Sequence, residues 1–213
     1  MASTHTYGIV LPNGSQIVHG SGAKVKEPFA DIPVTLNELS PGHFDRRPAF
    51  RGQSGFIEFD TNTRLPRHVH ISPSEDGQDD KMLIHERIFV VGGVALVELS
   101  GKIYVIPPQT LVTIAPGVPH TWTACPAGVN VSKNTISGAG KDVISDGTFL
   151  MLYEYEDQTG FFPTIQTKTL TSVEEYVRCD DLDSIRIPKL TAQEVDNRCW
   201  FVKDNQLFQY QDK

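Results

Sequence analysis

The chain has no apolar run near the ~20 residues that a membrane-spanning helix requires, and its opening MASTHTYGIVLPNGSQ lacks the basic-then-apolar order of a secretory leader. Both absences predict a soluble, cytoplasmic protein with no membrane partner. Basic charge is also short: 19 Lys and Arg stand against 26 Asp and Glu, a net charge of -7. With no positive field to attract phosphate backbones, nucleic acid is excluded as an expected partner. Cysteine is scarce, and Cys125, Cys179 and Cys199 form an odd set without CxxC spacing. That excludes a disulfide frame or zinc knuckle and suits free thiols in a reducing compartment.

What is present is enough for one buried core: 213 residues, 39% apolar. The expected organisation is one domain over 1-213, with an N-terminal hairpin over 5-20, a barrel core over about 50-160, and a C-terminal helical segment and arm over 170-213. Tyr7 to Leu11 and Gln16 to His19 flank Pro12-Asn13-Gly14-Ser15, a hairpin signal. Pro28, Pro33, Pro41 and Pro48 break the next stretch into edge strands and loops. Gly55 to Asp60, Ile103 to Ile106, Leu111 to Ile114 and Thr148 to Glu156 read as strands. Ile84 to Val91 and Val94 to Leu99 read as two more, joined by a tight hairpin turn at Gly92-Gly93. Further on, Ser172-Val173-Glu174-Glu175 and Thr191-Ala192-Gln193-Glu194 fit capping boxes, predicting helices to about Asp181 and about Arg198. Trp200 to Tyr210 closes as a strand or lies as an arm.

Chemistry concentrates between Arg64 and Trp122. Residues two apart on a strand share a face, so an extended Arg64 to Ile71 aims His68 and His70 the same way. Glu86 shares a strand face with Ile88 and Val90, and a carboxylate in apolar surroundings needs a cation. The turn Ala115-Pro116-Gly117-Val118-Pro119 stiffens the backbone just ahead of His120. Three imidazoles and one carboxylate make a donor set for a divalent transition metal. His85, Arg87, Tyr153 and Glu154 are candidate acid/base or substrate-binding groups beside it. The polar stretch Ser72 to Lys81 is a surface loop at the same place, long enough to act as a lid.

His68-x-His70, Glu86 with Gly93 after six residues, and Gly117-x-x-His120 resemble the two motifs of the cupin superfamily over roughly Gly55 to Tyr155. Those motifs read approximately G-x5-H-x-H-x3or4-E-x6-G and G-x5-P-x-G-x2-H-x3-N. Asn62, Gln109, Ala115 and Ala124 stand where the pattern has Gly, Gly, Pro and Asn, none of them a ligand position. Glu75 falls at the family's spacing from His70, whereas Glu86 requires an insertion; Glu86 is chosen because it opens a strand and keeps the glycine relation.

The resemblance implies an all-β jelly-roll (cupin) barrel, here with short C-terminal helices, and a metal held inside by His68, His70, Glu86 and His120. Fe(II) ranks first, with Mn, Ni, Zn or Cu as alternatives. The leading function is a mononuclear metal-dependent dioxygenase acting on a small oxygenated or aromatic compound. A redox-neutral lyase, isomerase or decarboxylase using the metal as Lewis acid comes second, and a non-enzymatic small-molecule-binding barrel third. Pairing through edge strands makes a homodimer the expected assembly.

Overall fold

The computed structural model of the protein describes residues 7-28, 34-40, 50-73, 81-132, 142-203 and 205-210. Its strands, in chain order, begin with β1 (Ile9–Val10), β2 (Gln16–His19), β3 (Lys24–Lys26), β4 (Leu36–Glu38) and β5 (Ser54–Asp60). The central set is β6 (His68–Val69), β7 (Glu86–Gly93), β8 (Ala95–Leu99), β9 (Lys102–Ile106), β10 (Thr110–Ile114), β11 (His120–Ala124) and β12 (Thr148–Tyr155). Then follow β13 (Phe162–Pro163), the helix α1 (Ala192–Arg198), β14 (Trp200–Lys203) and β15 (Gln206–Phe208).

Two sheets face each other. One has the order β1-β2-β10-β7-β12-β5 and the other β13-β6-β11-β8-β9-β14-β15. Within them only β14 on β9 is parallel among the described pairings. Period-two alternation explains the packing. Ile88, Val90, Val112, Ile114, Phe149 and Met151 from the first sheet meet Val97, Leu99, Ile106 and Trp122 from the second in one buried cluster. Burying side chains of this size contributes roughly 1.5–3 kcal/mol each. The result is an all-β jelly-roll barrel of two facing sheets, the fold class expected. A second cluster, with Leu96, Val105, Ile187, Val195 and Phe201, lies on the outer face of the seven-stranded sheet. The C-terminal segment therefore covers that face. No helix among the described residues is long and apolar enough to cross a membrane.

Two local readings need correction. Gly92-Gly93 is not a hairpin turn, because β7 and β8 belong to opposite sheets. Gly93 has φ +70°, and a Cβ there would sit 2.2 Å from the Thr148 carbonyl oxygen. The chain turns under β12 at this point and crosses the sandwich, which lets each strand bury its apolar face against the other sheet. Likewise no helix runs from Ser172 to Asp181: only a 3-10 turn, Val173–Glu175, forms, and Ser172 makes no side-chain cap bond. The Glu175 carboxylate instead accepts from the Thr171 N–H at 2.7 Å and the Thr171 hydroxyl at 2.8 Å. Tyr176 donates to the Pro163 carbonyl at 2.9 Å, and Arg178 bridges to Thr164, so the segment is drawn out onto the barrel. The Thr191 box does form, with Glu194 reciprocating, and opens α1. Trp200 to Phe208 closes as the β14-β15 hairpin.

Candidate metal centre

One end of the barrel gathers the candidate ligands because of strand register. Ile114 and Tyr155 lie opposite Glu86 on its two sides, placing that carboxylate at the rim of the six-stranded sheet. His120 pairs with His68 across β11 and β6 in the facing sheet, and His70 follows β6 directly. His68, His70, Glu86 and His120 are 1–3% exposed. Ring nitrogens of the three histidines lie within 4.8 Å of one another. Glu86 Oε2 lies 2.9 Å from His120 Nε2 and 3.5 Å from His70 Nε2.

Each imidazole is held from behind. His68 Nδ1 is 2.8 Å from the Pro66 carbonyl oxygen, His70 Nδ1 is 3.0 Å from that of Gly160, and His120 Nδ1 is 2.8 Å from that of Val118. A carbonyl only accepts, so each Nδ1 carries the proton and each Nε2 is left with its lone pair, the tautomer a metal takes. His70 Nε2, His120 Nε2 and Glu86 Oε2 are buried without a hydrogen-bond partner, even though the last two are at hydrogen-bond distance. With the proton on Nδ1, neither Nε2 has a hydrogen to give the carboxylate. Burial works to raise the Glu86 carboxyl, but His70 and His120 beside it outweigh that and hold it well below the ordinary range. Burial, then the His120 and His70 rings, push His68 well below the usual histidine value. An anionic carboxylate thus faces three imidazoles whose ring centroids are 4.4–5.2 Å apart. One cation at the focus of these lone pairs satisfies them all.

The other sequence candidates do not join this cluster. Strand parity turns Arg87 and Glu154, neighbours of inward residues, to the outer face, where they pair at 2.9 Å and Arg87 lies 3.8 Å over the Phe50 ring. His85 Nδ1 is 2.7 Å from Glu156 Oε2, which also accepts the His85 N–H at 2.9 Å. Tyr153 does face inward, its ring 5.3 Å from that of Tyr155. Glu75 and most of the polar loop, 74-80, lie outside the described residues.

Three further residues contribute. Tyr155 packs on His70 at 4.5 Å between centroids. Gly160 supplies the carbonyl behind His70, and Phe161 lies against His68 and His70. Nothing in DQTGFF announces this, because the contact spans some ninety residues. The carbonyls of Pro66 and Val118 had a signal: each precedes its histidine by two positions.

Gly117 controls the turn that delivers His120. Its φ is +73°, and an added Cβ would stand 2.2 Å from the Leu170 carbonyl oxygen. Gly117→Ala is expected to destabilise by about 2 kcal/mol, combining left-handed strain with that clash. It should also lower metal occupancy; denaturant midpoints and elemental analysis of the variant check both.

No protein-family model matches the chain, and no curated protein matches it. Solved structures do. A cupin 2 domain-containing protein from Halorhodospira halophila is 18% identical at TM-score 0.30, covering 50% of this chain and 53% of its own, so the chain spans about half that protein's length. A dTDP-6-deoxy-D-glucose-3,5-epimerase from Legionella pneumophila Philadelphia 1, in complex with dTDP-4-keto-L-rhamnose, is 12% identical at TM-score 0.42, covering 81% of this chain and 86% of its own. A 3'-monoepimerase from Streptomyces bikiniensis, in complex with dTDP-quinovose, is 12% identical at TM-score 0.41 and covers 85% of both chains. Likeness at these values carries no argument about activity.

Proposed function

We propose that the protein is a mononuclear metal-dependent enzyme of dioxygenase type, acting on a small oxygenated or aromatic compound, with His68, His70, Glu86 and His120 holding Fe(II). The observation that carries this reading is the buried convergence of His70 Nε2, His120 Nε2 and Glu86 Oε2, none with a partner, from imidazoles whose other nitrogen is already engaged. Neutral imidazoles with one carboxylate suit Fe(II), and equally Mn(II), Ni(II), Zn(II) or Cu(II). Bound there, Fe(II) would supply redox chemistry toward O2 with coordination positions left for a substrate. The chain's own part is to fix the imidazole tautomers through the Pro66, Gly160 and Val118 carbonyls and to keep water from the ligands with Ile88, Ile114, Trp122 and Met151.

One observation favours the redox-neutral alternative. The Tyr155 ring lies 4.5 Å from that of His70, and Tyr155 pairs directly opposite Glu86, which sets a hydroxyl-bearing side chain beside the ligands as a candidate proton donor. An oxygen electrode separates the two. Purified protein should hold about one divalent metal per chain. The Fe(II)-loaded form should consume oxygen with at least one of a panel of 1,2-diphenols and 2-keto acids, whereas the Zn(II)-loaded form should not. Turnover that persists without oxygen and with Zn(II) would favour the Lewis-acid reading.

A further inference from the structure

We propose that Phe161 is the access-determining residue of the metal site, and so a residue that selects which small ligands reach it; this rests on the metal reading of His68, His70, Glu86 and His120. Phe161 is 50% exposed, while the two imidazoles under it are 1% and 2% exposed. Its ring lies 4.6 Å from His68 at 60° and 5.6 Å from His70 at 64°, filling the wedge between these two ligands. A large apolar side chain that spends half its surface on solvent while resting on two buried polar rings stands between bulk water and those rings.

The backbone places it there firmly. Gly160, one residue earlier, offers its carbonyl to His70 Nδ1. Thr159 donates its hydroxyl to the Ile71 carbonyl at 2.8 Å, and its backbone is clasped by the Gln53 amide at 3.0 and 3.1 Å. Phe162 then enters β13, paired with Val69 between the two histidines. Anchored on both sides, the Phe161 main chain stays put, while the ring, open to solvent on one face, can rotate about its own side-chain bonds. Rotation of one side chain is a nanosecond-scale event that uncovers His68 and His70 without unfolding the loop. Among the described residues, Ile88, Ile114 and Tyr155 on the opposite sheet are buried and offer no comparable movement. Ligands that pass are those able to displace or lie flat against a phenyl ring: small anions and planar, apolar-bodied chelators.

The test uses Co(II)-loaded full-length protein, whose visible spectrum reports ligand entry, with azide as probe and a bulky chelator to strip the metal. Phe161→Ala and Phe161→Leu should keep the wild-type metal stoichiometry while metal removal by the chelator and azide entry become at least five-fold faster; Phe161→Trp should slow both. Rates within two-fold of wild type in all three variants would overturn the gate while leaving the metal site intact. If wild-type protein takes up no stoichiometric Co(II), the metal reading falls and this inference with it. Phe161→Leu keeps an apolar contact on the histidines, so it covers the case in which alanine disturbs the loop.

Discussion

His120→Ala abolishes stoichiometric metal binding: occupancy is expected to fall from about one ion per chain to under about a tenth after dialysis. Losing an outer partner of a ligand typically costs roughly 10–100-fold in metal affinity, so losing the imidazole itself costs more. The geometry makes His120 the most sensitive choice, because its Nε2 is the closest of the imidazole nitrogens to Glu86, at 2.9 Å. Metal binding stabilises the folded state by about 2.7 kcal/mol at a hundred-fold excess over the dissociation constant. That increment should be present in wild type and missing in the variant, while circular dichroism of the two metal-free proteins coincides. A companion pair settles the acid. Glu86→Ala should lose the metal and Glu75→Ala should keep it; the reverse outcome would move the carboxylate ligand into the polar loop.

Glu98→Ala produces the largest loss of stability, about 3–5 kcal/mol. Glu98 accepts from Arg67 Nε at 2.6 Å and Nη2 at 3.1 Å, and the two side chains are only 7% and 13% exposed. Removing the carboxylate strands a guanidinium that has little water to turn to. Arg67 also gives its Nη1 to the Ile165 carbonyl, its N–H to the Ile185 carbonyl, and its own carbonyl to the Thr164 N–H. It is therefore the junction where two C-terminal segments tie onto the strand carrying His68. For a chain of this size the loss corresponds to a melting-temperature drop of roughly 10 °C, measured on metal-free protein so that ligand effects do not enter. Arg67→Met with Glu98→Leu should recover most of it, since a buried ion pair gains little over an apolar pair of similar size. The exposed Arg178–Asp180 pair, 72% and 82% exposed, is the control: Asp180→Ala should leave the melting temperature unchanged.

How much was legible follows the range of each interaction. His68 and His70 are two apart, and Glu86, Ile88 and Val90 alternate, so strand parity alone predicts which way they point. The Thr191 box is local and forms as read. The Ser172 box is equally good on paper, yet Thr171 outbids Ser172 for Glu175, and Tyr176 and Arg178 are recruited by the barrel. Gln109 is instructive in the other direction. It stands where the cupin pattern has glycine, and its φ is +60°, so the turn kept the left-handed backbone although the residue changed. His85, Arg87 and Glu154 are close to Glu86 in sequence or register, but parity sends them to the opposite face of the sheet.

Sequence by itself determined the all-β alternation, the pairing of His68 with His70, the apolar setting of Glu86 and the stiff turn before His120, because each is written within a few residues where period and backbone restraint act. Tertiary structure alone decided that Glu86 from one sheet meets His120 of the other and His70 at the end of β6, that Gly160 steadies His70, and that Phe161 rests on two of the rings. Those contacts depend on which sheet each strand joins and how far the chain must return to close the barrel, and neither is encoded in any local stretch.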